Sequence, residues 1–87
     1  MNTFTVNIYT PEAQAVNEEA VMLTVPGADG GYGLMYNHLP CVIGLVAGEI
    51  VLTQDGETRR FACGEGFLEM RDNRANMFVH RCAEVRP

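Results

Sequence analysis

The sequence predicts an all-β protein, a small antiparallel β-sandwich or flattened barrel of about 8–10 short strands. Three observations carry that expectation. Apolar residues alternate with polar ones at period 2 in segment after segment, which puts every second side chain on one face of an extended chain. Gly, Pro, Asp and Asn interrupt these segments every several residues, and no long stretch carries its apolar residues at helical spacing. At 87 residues, with 47% apolar and 20% charged, the chain has room for one packed domain over residues 1–87. A domain of that size buries roughly 60–65% of the surface its unfolded chain exposes.

The elements follow in order. Residues 3–10 place Phe4, Val6 and Ile8 on one face and Thr5, Asn7 and Tyr9 on the other, and Pro11 ends the strand. Residues 10–20 have sparse, small apolar residues and read as a connection holding a short strand near Val16. Residues 20–25 resume the alternation, with Val21, Leu23 and Val25 opposite Met22 and Thr24, and Pro26-Gly27 closes it. Residues 27–33 hold four glycines and read as a loop, followed by a short strand over 34–36. An apolar run over 41–46 and a strand over 49–53 lead to Asp55-Gly56, which reads as a two-residue type I′ hairpin turn into residues 58–61. Gly64-Glu65-Gly66 bends the chain into a strand over 67–71, the polar segment 72–76 turns it, and 76–85 forms the last strand.

Charge and composition narrow the function. The net charge is −5, all six basic residues are arginines, and their one adjacent pair is Arg59-Arg60. That arrangement suits neither a phosphate backbone nor an anionic lipid surface, so nucleic acid is not an expected partner. The apolar run at 41–47 is far shorter than the roughly 20 residues that span a bilayer, and the first residues lack a secretory pattern. The odd set Cys41, Cys63 and Cys82 contains no CxxC pair, which argues against a disulfide framework and for a reducing compartment. Each lies in or beside an apolar segment, so the thiols are expected to be mostly buried and inert.

No segment presents a catalytic motif. The glycine-dense segment lacks the Gly-Lys-Ser/Thr ending and following helix of a phosphate loop, and no dinucleotide fingerprint is present. His38 and Cys41 in one corner, with His80 and Cys82 alternating on the last strand, offer two imidazoles and two thiolates for tetrahedral zinc. His-x-Cys is an uncommon zinc spacing and core packing is the simpler role for Cys41, so no metal is expected. Nothing in the residue order demands a Cys/His nucleophile. No cofactor and no small-molecule substrate is expected.

The stretch over residues 25–46, VPGADGGYGLMYNHLPCVIGLV, has an apolar strand, a glycine-dense loop, a His-Leu-Pro corner and a second apolar run. That order resembles the N-terminal β-sandwich domain of the epsilon subunit of F-type ATP synthases. The opening FTVNIYTPE resembles the family's first strand and turn. The run from Gly48 to Val85 follows its pattern of hairpin, Gly-x-Gly bend, "LE" strand, Asn-containing turn and a final strand ending in "AE".

The resemblance implies a non-catalytic central-stalk subunit held between the gamma subunit and the c-ring, coupling ion translocation to ATP synthesis. It implies a c-ring interface at Asp29, Gly30, Gly31 and Tyr32, and a gamma interface at Thr10, His38, Tyr36 and Met35. It also implies a peripheral place on the cytoplasmic face of the inner membrane, or on the matrix or stroma side in an organelle. Family members commonly carry an acid at the Gly31 position, Pro-Gly where this chain has Tyr36-Asn37, and Gly-Gly at the bend that holds Glu65 here. Typical epsilon subunits continue into an inhibitory helical hairpin near the position of Pro87, so a short form without that hairpin is the expectation. The alternative is a zinc-stabilised or ligand-binding β-sandwich interaction module.

Overall fold

The computed structural model describes residues 2–86, and all ten of its regular elements are strands. In chain order they are β1 (Phe4–Tyr9), β2 (Gln14–Ala20), β3 (Met22–Gly27), β4 (Gly30–Met35), β5 (Cys41–Leu45), β6 (Gly48–Gln54), β7 (Glu57–Cys63), β8 (Gly66–Arg71), β9 (Arg74–Val79) and β10 (Cys82–Val85). Hydrogen bonding links nine of them in the order β10-β7-β6-β3-β5-β8-β9-β1-β2, with β4 paired to β3 outside that path. The sheet curls on itself so that the inward residues of both wings form one core. Phe4, Ile8, Leu23, Leu52, Leu68 and Met77 are fully buried there.

The all-β expectation holds, and four local expectations change. Residues 14–20 form a full strand rather than a short one near Val16, because Phe4↔Ala20 through Ile8↔Val16 pair along β1. Only Val16 and Ala20 of β2 are buried, so the partner strand defines it more than its own apolar content. The glycine-dense segment is itself mostly strand: β4 pairs with β3 from Gly27↔Gly30 to Met22↔Met35, leaving Ala28-Asp29 as the turn. The last strand divides at His80-Arg81, because β9 pairs with β8 and β1 while β10 crosses to β7 on the other wing. The sheet also contains one parallel pair, β1 with β9. Parallel pairing needs a long connection, and the chain between β1 and β9 supplies it.

Turn chemistry also departs from expectation. At Asp55-Gly56 the hairpin forms as predicted between Gln54↔Glu57, but of the two only Gly56 (φ 77°) takes a positive φ, so the turn is not type I′. The turn with two positive φ values is Asp72-Asn73, at 51° and 60°, joining β8 to β9. Asn73 is held there by its surroundings. Its amide donates to the Thr3 carbonyl at 2.9 Å, its side-chain oxygen accepts from the Asn37 N–H at 2.8 Å, and its own carbonyl accepts from the Thr5 N–H at 3.2 Å.

The two ends of the hydrogen-bonded path, β10 and β2, are joined through side chains. Arg59 on β7 donates two hydrogen bonds to Glu84 on β10, both at 2.9 Å, and reaches Glu18 on β2 at 3.2 Å. Its guanidinium lies 5.4 Å from the centroid of the Phe61 ring. Gln54 on β6 donates to the Glu18 carboxylate and to the Glu19 carbonyl. Of the three thiols Cys63 is buried, while Cys41 and Cys82 are half-buried, so the expectation of mostly buried cysteines holds for one of them fully.

Candidate functional site: two loop regions and an aromatic row

The β3–β4 hairpin projects its tip from the sheet and is anchored at its base. The Ala28 N–H donates to the Gly44 carbonyl at 2.8 Å, and the Val46 N–H donates to the Pro26 carbonyl at 3.0 Å. Both bonds tie the hairpin to the β5 strand and its exit. Asp29, Gly30, Gly31 and Tyr32 are all exposed. The Tyr32 ring lies across Gly27, where an added Cβ would strike the ring and come within 2.6 Å of the Gly30 carbonyl. Glycine at position 27 is therefore what lets the tyrosine cover the turn.

At the far end of β4 the corner presents Met35, Tyr36 and His38, all exposed. Asn37 adopts a left-handed backbone (φ 63°), and the His38 N–H donates back to the Met35 carbonyl at 3.2 Å. His38 Nδ1 lies 2.8 Å from the Leu39 carbonyl. A carbonyl can only accept, so this geometry assigns the proton to Nδ1. Cys41 Sγ lies 4.0 Å from the same nitrogen.

Strand register locates these groups relative to one another. Gly27, Leu45, Gly66 and Val79 are successive register partners across β3, β5, β8 and β9, and Tyr9 pairs with Phe78. Thr10, which follows Tyr9, thus belongs to the side of the sheet where the glycine hairpin turns. The corner lies at the other side, tied through Asn37 to Asn73 beside the start of β1. The six residues of β4 separate hairpin tip from corner by roughly 20 Å. The structure brings Met35, Tyr36 and His38 together and places Thr10 apart from them.

A feature that sequence reasoning missed stands beside Thr10. Tyr9 stacks on Phe78, and Phe78 on Phe67, with ring centroids 5.1 Å apart in both pairs. Phe67 and Phe78 remain 48% and 41% exposed, so the row is solvent-facing rather than core. Tyr9, Thr10, Pro11, Phe67, Phe78 and His80 line a shallow groove of about 400 Å³. One row away, Asn7 accepts from Gln14 and Asn17 and donates to Asn76, which satisfies its nearly buried amide. Alternation places Tyr9 on this outer face, but only the long-range β1–β9 register reveals its neighbours.

The four zinc candidates do not converge. His38 and Cys41 share the corner, whereas Cys82 is the register partner of Cys63, and His80 lines the aromatic groove. Among the described residues, no three His, Cys, Asp or Glu side chains are grouped so as to hold a metal ion.

Residues 3–85 match the model of the family described as ATP synthase, Delta/Epsilon chain, beta-sandwich domain. The chain belongs to this family. Relatives named ATP synthase epsilon chain include one from Desulfitobacterium hafniense (strain DSM 10664 / DCB-2), 33% identical over 88% of this chain and 58% of its own length. Another, from Staphylococcus saprophyticus, is 36% identical over 91% of this chain and 60% of its own length. The chain thus spans somewhat more than half of these relatives. Among solved structures, the Euglena gracilis mitochondrial ATP synthase (OSCP/F1/c-ring) contains a chain that superposes with a TM-score of 0.89 at 14% identity, covering 97% of this chain and 54% of that one. The Tetrahymena thermophila mitochondrial ATP synthase central stalk/c-ring structure gives 0.78 at 15% identity, covering 91% and 64%. At such identities the likeness concerns the fold. In this delta/epsilon-type sandwich Gly31, Tyr36, Asn37 and Glu65 all occupy exposed positions outside the core.

Proposed function

We propose that this chain is a non-catalytic rotor subunit of an F-type ATP synthase, with residues 1–87 forming one epsilon-type sandwich that links the gamma subunit to the c-ring and couples ion translocation to ATP synthesis. The observation that carries the reading is the family match along residues 3–85. Two exposed loop regions on a stiff sheet support it, because a closely packed core resists shear between two contact surfaces.

In this reading Asp29, Gly30, Gly31 and Tyr32 meet the c-ring. Thr10, Met35, Tyr36 and His38 meet gamma, and the aromatic row beside Thr10 extends the gamma side with the residue types enriched at interface centres. The subunit sits peripherally on the cytoplasmic face of the inner membrane, or on the matrix or stroma side of an organelle. Among the described residues, no helix is long and apolar enough to cross a membrane.

Affinity purification of the tagged chain from its own membranes in mild detergent should recover gamma and the c subunit. Recovery without gamma would overturn the functional reading while leaving the fold intact.

A further inference from the structure

Cys63 and Cys82 are register partners at the point where β10 joins β7. Their kind of pairing can be read from one backbone hydrogen bond: the Gly64 N–H donates to the Arg81 carbonyl at 3.0 Å. In an antiparallel ladder, a bond from the residue after one partner to the residue before the other marks the pair between them as non-hydrogen-bonded. Such pairs hold their Cα atoms about 4.5 Å apart, with side chains on one face and closer than at any other ladder position. Disulfides accept Cα separations of about 4.4–6.8 Å. The backbone is thus already placed for a cross-strand bond.

The thiols differ in character. Cys63 faces the core and is buried, whereas Cys82 is half-buried at the edge of the core. The interaction between the two thiols holds the Cys82 thiol below its ordinary value and, together with burial, the Cys63 thiol above it. Burial, and after it the nearby Glu84 carboxylate, oppose the lowering at Cys82. Cys82 is the more accessible member of the pair, the position an attacking thiol needs. Cys41 is at the corner with His38 and takes no part.

We propose that Cys63 and Cys82 form a redox-modification site, a dithiol that a small disulfide of the glutathione class converts to a cross-strand disulfide, pinning the C-terminal strand β10 to β7. The Cys82 thiolate attacks one sulfur of the small disulfide, forming a mixed disulfide and expelling the first thiolate. The Cys63 sulfur then attacks the Cys82 sulfur, forming the protein S–S bond and expelling the second. The protein gives up two electrons and two protons, and the small disulfide leaves as two thiols. β10 is the strand on which this bears. It has four residues, three of them exposed, and its hydrogen-bonded neighbour is β7 alone.

The test is a native-state titration of the full chain in glutathione buffers of graded ratio, followed by alkylation and tryptic mapping. Trypsin releases Cys63 in the peptide 61–71 and Cys82 in the peptide 82–87. Oxidation should yield these two peptides covalently joined and lighter by two hydrogens, with Cys41 alkylated. Hydrogen exchange of the β10 amides should slow by about tenfold or more in the oxidised form. In Cys63→Ala, Cys82 should stop at the mixed disulfide with glutathione. A wild-type chain that accumulates glutathione on Cys82 without the joined peptide, joins Cys41 instead, or resists oxidation in its native state would overturn the proposal. Unchanged β10 exchange in the joined form would remove its structural consequence.

Discussion

Arg59 shows how one side chain can stand in for a missing ladder. Its guanidinium touches Glu84, Glu18 and the Phe61 ring, so it links β10, β7 and β2 where no backbone hydrogen bonds close the sheet. The bidentate pair with Glu84 raises the affinity of Arg59 for its proton above the ordinary value, despite the opposing effect of desolvation. The same hydrogen bonds, aided by the charges of Arg59 and Arg86, hold the Glu84 carboxyl below its ordinary value. A carboxyl depressed in the folded state stabilises the fold fully above its unfolded pKa, about 4.3, and loses that contribution as pH falls through the folded value. Arg59→Ala should therefore lower the thermal midpoint by a few degrees near neutral pH. The deficit should shrink below about pH 4 and at molar salt, because the pair is exposed and screened. Melts of parent and variant across that pH range check it, and a deficit independent of both pH and salt would assign the effect to packing on Phe61 instead.

At the scale of elements, the aromatic row is the feature that β1, β9 and β8 create only by lying side by side. Phe67 and Phe78 are too exposed to carry the core. Replacing Phe67 with Ala should cost about 1 kcal/mol of stability, the worth of an exposed stacked pair, as read by urea denaturation. The same variant should reduce recovery of gamma in affinity purification much more than a Val85→Ala control on β10, if the row belongs to the gamma side. Such rows mark the boundary of what the sequence discloses. Phe4, Val6 and Ile8 announce β1 and its buried face, and the Asp55-Gly56 hairpin was legible because turn and flanking strands are contiguous. β2 was underestimated because Glu18 shares the face of Val16 and Ala20, so a charge interrupts its inward apolar set. β4 was hidden because glycine reads as loop, although its six residues pair in full with β3. The division of β9 from β10, the parallel β1–β9 pair and the Tyr9–Phe78–Phe67 stack all depend on which distant strands become neighbours, and no local period encodes that. The candidate loops were legible as segments, but their separation across the sheet was not.

At the scale of the whole molecule, the separation of the two loop regions fixes what a two-sided grip must look like. The hairpin tip at Asp29 and the corner at His38 lie at opposite ends of β4, so two different partners can hold them without competing. Thr10 supplies the discriminating position. Register places it on the hairpin side, next to the aromatic row, yet the proposed contacts give it to gamma and Asp29 to the c-ring. If both assignments hold, the boundary between the two partners must pass between Thr10 and Asp29, and gamma must extend along the β1–β9–β8 face from the corner to the groove. Replacing Thr10, Asp29 or His38 in turn with a photoreactive amino acid, and irradiating the assembled enzyme, maps that boundary. Positions 10 and 38 should join to gamma and position 29 to the c subunit, with Phe67→Ala weakening the product at position 10 more than that at position 29. A product with the c subunit from position 10 would confine gamma to the corner and return the aromatic row to the c-ring side. Products with neither partner from all three positions would remove the two-sided grip altogether.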